Sequence, residues 1–174
     1  GDYMTINQNK KVIHIVTPYD YDIIILNKKL NKTYIYFGSN GFSKFKKQAI
    51  QDGNAEKIAT DVSVKRAVSK SNRLYNNSVW DLVDKSEKEV IDYSKIDRKK
   101  LTKELQALSD AELKKHVKTQ KKKRSEIKKQ INELNKKRKI YVAKKQQEST
   151  KKNELESVMI QAIKKQAMRK NYKW

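Results

Sequence analysis

The sequence predicts a mainly α fold with a small β element at the N-terminus and a long antiparallel helical hairpin at the C-terminus. Three observations lead there. One proline and four glycines in 174 residues leave too few turn residues for a β-rich protein. Long tracts of Lys, Glu, Gln and Leu, all strong helix formers, fill the second half. Near the N-terminus, Val12, His14 and Val16 alternate with Ile13 and Ile15 up to Pro18, the period-two pattern of a strand. Apolar residues make up 36% of the chain, against ~45–50% in an average globular domain, so one large core is not expected.

The elements follow in order. Pro18 cannot donate to a ladder and biases Thr17 away from helix, so the strand ends there. Asp20 is a suitable N-cap, and Ile23, Ile24, Leu26 and Leu30 recur behind it at helical spacing. Thr33 to Phe37 is then β-branched and aromatic up to Gly38, which reads as an extended tail. Alternation along that tail puts Tyr34 and Tyr36 on one face and Ile35 and Phe37 on the other.

This block resembles the closing section of a bacterial von Willebrand factor A (VWA) domain. The residues that carry the resemblance are Gly1, Tyr3 and Ile6 of a G-x-Y-x-x-I strand, Thr17, Pro18 and Asp20 of a TPxD helix start, and Thr33 to Gly38 of a TYIxYG tail. The block Arg73 to Asn77 followed by Trp80 to Asp84 is similar to a segment of the same bacterial proteins, which extends the resemblance past the domain itself. It implies a C-terminal piece, with most of the VWA domain upstream of Gly1. Residues 1–38 would then end that domain, 39–108 form a helical linker region, and 109–174 form the hairpin. VWA domains that bind a divalent cation do so through an Asp-x-Ser-x-Ser loop, and that motif is absent from this chain, so no cofactor or metal site carries over. The resemblance implies protein–protein contact as the function and, by analogy with exported VWA proteins, the bacterial cell envelope or periplasm as the location of the parent protein.

After a turn at Ser39–Gly41, a mixed helix is expected from Phe42 to Ile58, buried through Phe42, Phe45, Ala49 and Ile50. Asp61 can cap the next helix, and Trp80, Leu82 and Val83 anchor the region behind Asn76-Asn77-Ser78. Residues 85–108 read as a charged connector with short helical pieces. Ser109 and Glu112 then form a capping box that starts a long helix. Its seam steps by four and three through Leu113, Val117, Gln120, Arg124, Ile127, Ile131, Leu134, Arg138 and Tyr141. Three polar residues make that seam poor as an autonomous coiled coil. A turn at Ser149-Thr150 would instead let Leu155, Val158, Met159, Ala162, Ile163, Ala167 and Met168 fold back onto it.

Catalytic constellations are not found. His14 and His116 are far apart and neither has a second ligand at metal spacing. Asp20 and Asp22 suit a helix N-terminus, and Asp81 and Asp84 read as caps or surface acids. There is no P-loop, dinucleotide fingerprint or nucleophile elbow, and zero cysteines exclude disulfides and thiol chemistry. No enzyme is expected.

The formal charge is +22, of which residues 114–152 carry 17 basic against 3 acidic groups. Six of the 42 basic residues are Arg, so the excess is lysine, a point charge without the fork that base recognition uses. A solvated helix face is the simpler reading. The leading expectation is therefore a non-catalytic interaction or scaffold segment. The alternative is a basic helical nucleic-acid-binding protein using residues 114–152. Candidate surface residues are Tyr34, Tyr36, Trp80, Lys121, Lys122, Lys123, Arg124 and Lys128. Candidate partners are another protein, the upstream VWA portion or a second copy, with nucleic acid or an anionic membrane surface ranked behind them.

Overall fold

The computed structural model describes residues 15–170, and it is mainly helical. The helices are α1 (Asp20–Asn31), α2 (Gly41–Ile58), α3 (Thr60–Lys70), α4 (Leu82–Lys88), α5 (Lys103–Gln106) and α6 (Asp110–Arg169). Two single 3-10 turns, Tyr93–Lys95 and Arg98–Lys100, lie between α4 and α5. The β element expected at Val12–Val16 falls mostly outside the described residues, and Ile15 and Val16 are irregular.

Thr33 to Gly38 contains no helix, and among the described residues it forms no strand. Its one ladder contact is an antiparallel bridge between Tyr36 and Asp81. The Phe37 amide donates to the Trp80 carbonyl and the Leu82 amide to the Ile35 carbonyl, each at 2.9 Å. Pairing stops there for local reasons. Gly38 turns the tail away with φ of 77°, a conformation that glycine adopts without a Cβ penalty, and Leu82 opens α4.

The tail divides two apolar clusters. On one side Tyr34 and Trp80 join Ile23, Leu26 and Leu30 of α1, Val64 and Ala67 of α3, and Ile131 of α6. On the other, Ile35 joins Leu82 and Val83 of α4, Leu101, and Leu113 and Val117 of α6. Both faces of the tail are thus covered, and the two small cores match the low apolar content. Full burial of each large side chain contributes roughly 1.5 to 3 kcal/mol.

The helix α2 differs from expectation. Phe42, Ala49 and Ile50 are exposed, and the buried side is Gly41, Gln48, Asp52 and Ala55. A polar network, described below, sets that face. Asp20 likewise does not act as the N-cap. It is the first residue of α1 and accepts from the Thr17 amide at 3.1 Å and the Thr17 hydroxyl at 2.5 Å. Asp61 lies in the first turn of α3, where Ala59 is the N-cap.

The C-terminal hairpin is replaced by one helix. The capping box is as read: the Glu112 amide donates to Ser109 Oγ and the Ser109 amide to Glu112 Oε1. From there α6 runs 60 residues, roughly 90 Å at 1.5 Å per residue. Ser149 and Thr150 do not turn the chain. Thr150 donates to the Gln146 carbonyl four residues back, which a helix accommodates, and neither glycine nor proline follows to break it. The seam instead packs on the head formed by α1–α5. Leu113, Val117, Arg124 and Ile131 are buried, and Ile127 and Leu134 pack against the first cluster. Tyr141 meets Tyr19 edge-to-face at 6.4 Å. Ile15 and Val16 share a cavity with Tyr141, Lys145, Ser149 and Asn153, and beyond Asn153 α6 continues as an arm.

Candidate functional site

Arg124 lies at the centre of the head. It enters from α6 with a side chain 1% exposed, and its guanidinium reaches three elements at once. Nε donates to Thr33 Oγ1 at 2.8 Å; one terminal nitrogen donates to Asp81 at 2.5 Å and Asp84 at 2.9 Å. The other donates to the Thr33 carbonyl at 2.9 Å and Asp81 at 3.3 Å. A guanidinium has five N–H donors, and every one is engaged. Its flat face covers Tyr34 at 3.9 Å from the ring centroid, and Tyr34 stacks on Trp80 at 5.6 Å.

The acceptors are equally saturated. Asp81 caps α4 by accepting from the Asp84 amide, and it also accepts from the Ile35 amide. Asp84 accepts from the Asn77 amide at 2.8 Å, which holds the preceding turn. Burial pulls the Arg124 pKa down, but the carboxylate charge of Asp81 and Asp84 outweighs it and raises the guanidinium above its ordinary value. Burial pushes the Asp81 carboxyl up, against the pull of Arg124. Every N–H of Arg124 and every carboxylate oxygen of Asp81 and Asp84 is thus engaged. The cluster is a clamp that fixes α6 to the tail and to α4.

Two further ion pairs extend the same logic. Arg138 Nε donates to Asp20 at 2.9 Å and ties α6 to the start of α1. Within the head, Lys70 is buried with Nζ 2.8 Å from Asp52, and it also donates to Asn31. Arg66 and Asn31 complete the shell of Asp52 at 2.8 and 2.7 Å. Burial lowers the Lys70 pKa to about 8 against the attraction of Asp52. Burial raises Asp52, but the hydrogen bonds and charge of Lys70, Asn31 and Arg66 outweigh it and hold the carboxyl below its ordinary range. This network is why α2 buries polar residues.

The candidate surface residues separate accordingly. Tyr34, Trp80 and Arg124 are buried, so they form the clamp and no interaction surface; two aromatics and a fully bonded cation are worth more inside than out. Tyr36 and Lys128 are half-buried, and Lys121, Lys122 and Lys123 are exposed on the solvent side of α6. Asp81 is the buried N-cap of α4 and Asp84 a buried residue of its first turn, so neither is a surface acid. Beside the clamp a groove of about 500 Å³ is walled by four cations, Arg73, Lys128, Lys129 and Lys136, and two acids, Glu87 and Glu133. Among the described residues no group of three or more His, Asp or Glu could hold a metal ion, and no helix is long and apolar enough to cross a membrane.

The arm carries the other candidate. Lys144 to Glu154 contains no apolar side chain, and then Leu155, Val158, Met159 and Ile163 appear at 62%, 64%, 55% and 49% exposure. With Ala162 they occupy positions i, i+3, i+4, i+7 and i+8, one face of a helix. These side chains are exposed, whereas Ala167, one turn beyond Ile163, is buried. The face is an apolar tip on a polar stalk. The sequence pattern located these residues but assigned them to the hairpin core. Compared with family models, curated proteins and solved structures, the chain has no significant match.

Proposed function

We propose that this chain is a non-catalytic scaffold segment in which a small helical head holds one end of a long helix and the exposed tip of that helix docks a protein. The observation that carries this reading is the contrast along α6. Its first half is fixed by buried ion pairs and two apolar clusters, whereas its last third presents exposed Leu155, Val158, Met159 and Ile163 after eleven polar residues. Side chains of this kind lose free energy in water, and a contiguous exposed patch of them marks an interaction site.

The resemblance of Thr17–Gly38 and Arg73–Asp84 to bacterial VWA proteins supports the same class of function. Thr33, Tyr34, Asp81 and Asp84, all within those stretches, are the residues on which Arg124 sits. On this reading the head is the closing section of a VWA-like domain with its helical extension, and the arm reaches outward from it, in the cell envelope by analogy.

The test is site-specific photo-crosslinking in the host, with the crosslinker at Met159 or at Lys144 on the stalk. Adducts concentrated at Met159 are expected; equal labelling at both sites, or none, contradicts the proposal. A second reading rests on exposed Lys121, Lys122 and Lys123, which could track phosphates. Binding of that kind weakens steeply as salt rises.

A further inference from the structure

We propose that the tip of α6 docks a second copy of the same tip in antiparallel orientation. This rests on the reading of the tip as a protein-docking face and names its partner. The charges on either side of the patch supply the argument. Glu154 and Glu156 precede the patch centre at residues 159–160, and Lys164 and Lys165 follow it at nearly equal distance. Glu154 and Lys165 are eleven residues apart, three helical turns, and therefore lie on the same flank of α6. In an antiparallel helix pair like flanks adjoin. A two-fold axis near residues 159–160 thus places Glu154 beside Lys165 of the second copy, twice, while Leu155 meets Ile163. One register satisfies both the apolar and the charged residues. In a parallel in-register pair Glu154 and Lys165 stay about 16 Å apart along the axis and do not meet.

The area fits a weak dimer. The exposed fractions of Leu155, Val158, Met159 and Ile163, the side chains on the one face, correspond to roughly 400 Å² per copy, or about 850 Å² in all. That is below the standard range for a stable complex, so weak association, seen at concentrations approaching millimolar, is expected. The net charge of +22 opposes it at low ionic strength, and screening at physiological salt relieves that repulsion.

The experiment is sedimentation velocity on the full chain at physiological salt, up to millimolar concentration. The wild type should dimerise. Leu155→Lys with Ile163→Lys should be monomeric at unchanged helicity, since both side chains face solvent in a single copy. Glu154→Lys and Lys165→Glu should each weaken association about tenfold, and the double swap should restore it to within about threefold of wild type. The two residues cannot touch within one chain, so such rescue arises between antiparallel copies alone. A wild type that stays monomeric throughout, or a dimer indifferent to the swap, overturns the proposal. A monomer whose Met159 still crosslinks to a different protein overturns this inference and leaves the docking function standing.

Discussion

Arg124 and Asp81 are 43 residues apart in sequence and meet through hydrogen bonds of 2.5 and 3.3 Å, with neither side chain in contact with water. A buried pair of this kind offsets its own desolvation only when complete. Replacing Arg124 with Met keeps the bulk and leaves Asp81 and Asp84 buried without their cation. The expected loss is about 3 to 5 kcal/mol of folding stability, read by urea denaturation. Arg124→Lys should fall between, because an ammonium supplies three donors where five are used. Stability unchanged in Arg124→Met would mean that the clamp does not hold α6.

Tyr34 gives a prediction of opposite sign. Its hydroxyl is buried with no hydrogen-bond partner, and burial raises its pKa well above the ordinary value. Tyr34→Phe keeps the stack on Trp80 and removes the unsatisfied group, so stability should rise by about 1 kcal/mol. A loss of that size instead would reveal a hydrogen bond to a water or to the residues outside 15–170.

The seat of Arg138 is more exposed and has a reserve. Asp20 keeps two hydrogen bonds from Thr17 when the cation is removed. Arg138→Ala should therefore cost about 1 to 2 kcal/mol, less than Arg124→Met, with faster amide exchange confined to α6 near Tyr141.

Lys70 sets a pH dependence. Its folded pKa of about 8 lies below the ordinary 10.5, so between those values the unfolded chain binds more protons than the folded one. Stability from this group is fully present above 10.5 and is lost as pH falls through 8. Thermal unfolding should show stability rising from pH 8 toward 10. Above pH 10 the raised Tyr34 pKa acts in the other direction. Lys70→Met should flatten the rise, and a wild type with no slope in that window would contradict the assignment.

Much of this arrangement is legible in the sequence. The α6 start follows from Ser109 and Glu112, because a capping box is a local motif. The seam from Leu113 to Tyr141 is also right, since it depends on periodicity alone. What periodicity cannot say is which surface a seam meets, and here it meets the head in place of a second helix. Arg124 was hidden for a related reason. It ends the run Lys121-Lys122-Lys123-Arg124, where charge suggests solvent. A sharper signal was available: along Leu113–Tyr141 no lysine falls on the seam, whereas Arg124 and Arg138 both do. Arginine in place of lysine at seam positions marks cations meant for burial. Asp52 and Lys70 had no comparable signal, because their partners come together only in the tertiary fold.

The central claim is that α6 is one rigid helix that carries the tip away from the head. Pulsed electron spin resonance tests it, and the absence of cysteine confines spin labels to Lys121→Cys and Lys164→Cys, with labelled chain diluted in unlabelled. A continuous helix predicts about 65 Å between these positions at 1.5 Å per residue. A distance near 25 Å, as a hairpin folded at Ser149-Thr150 would give, contradicts it.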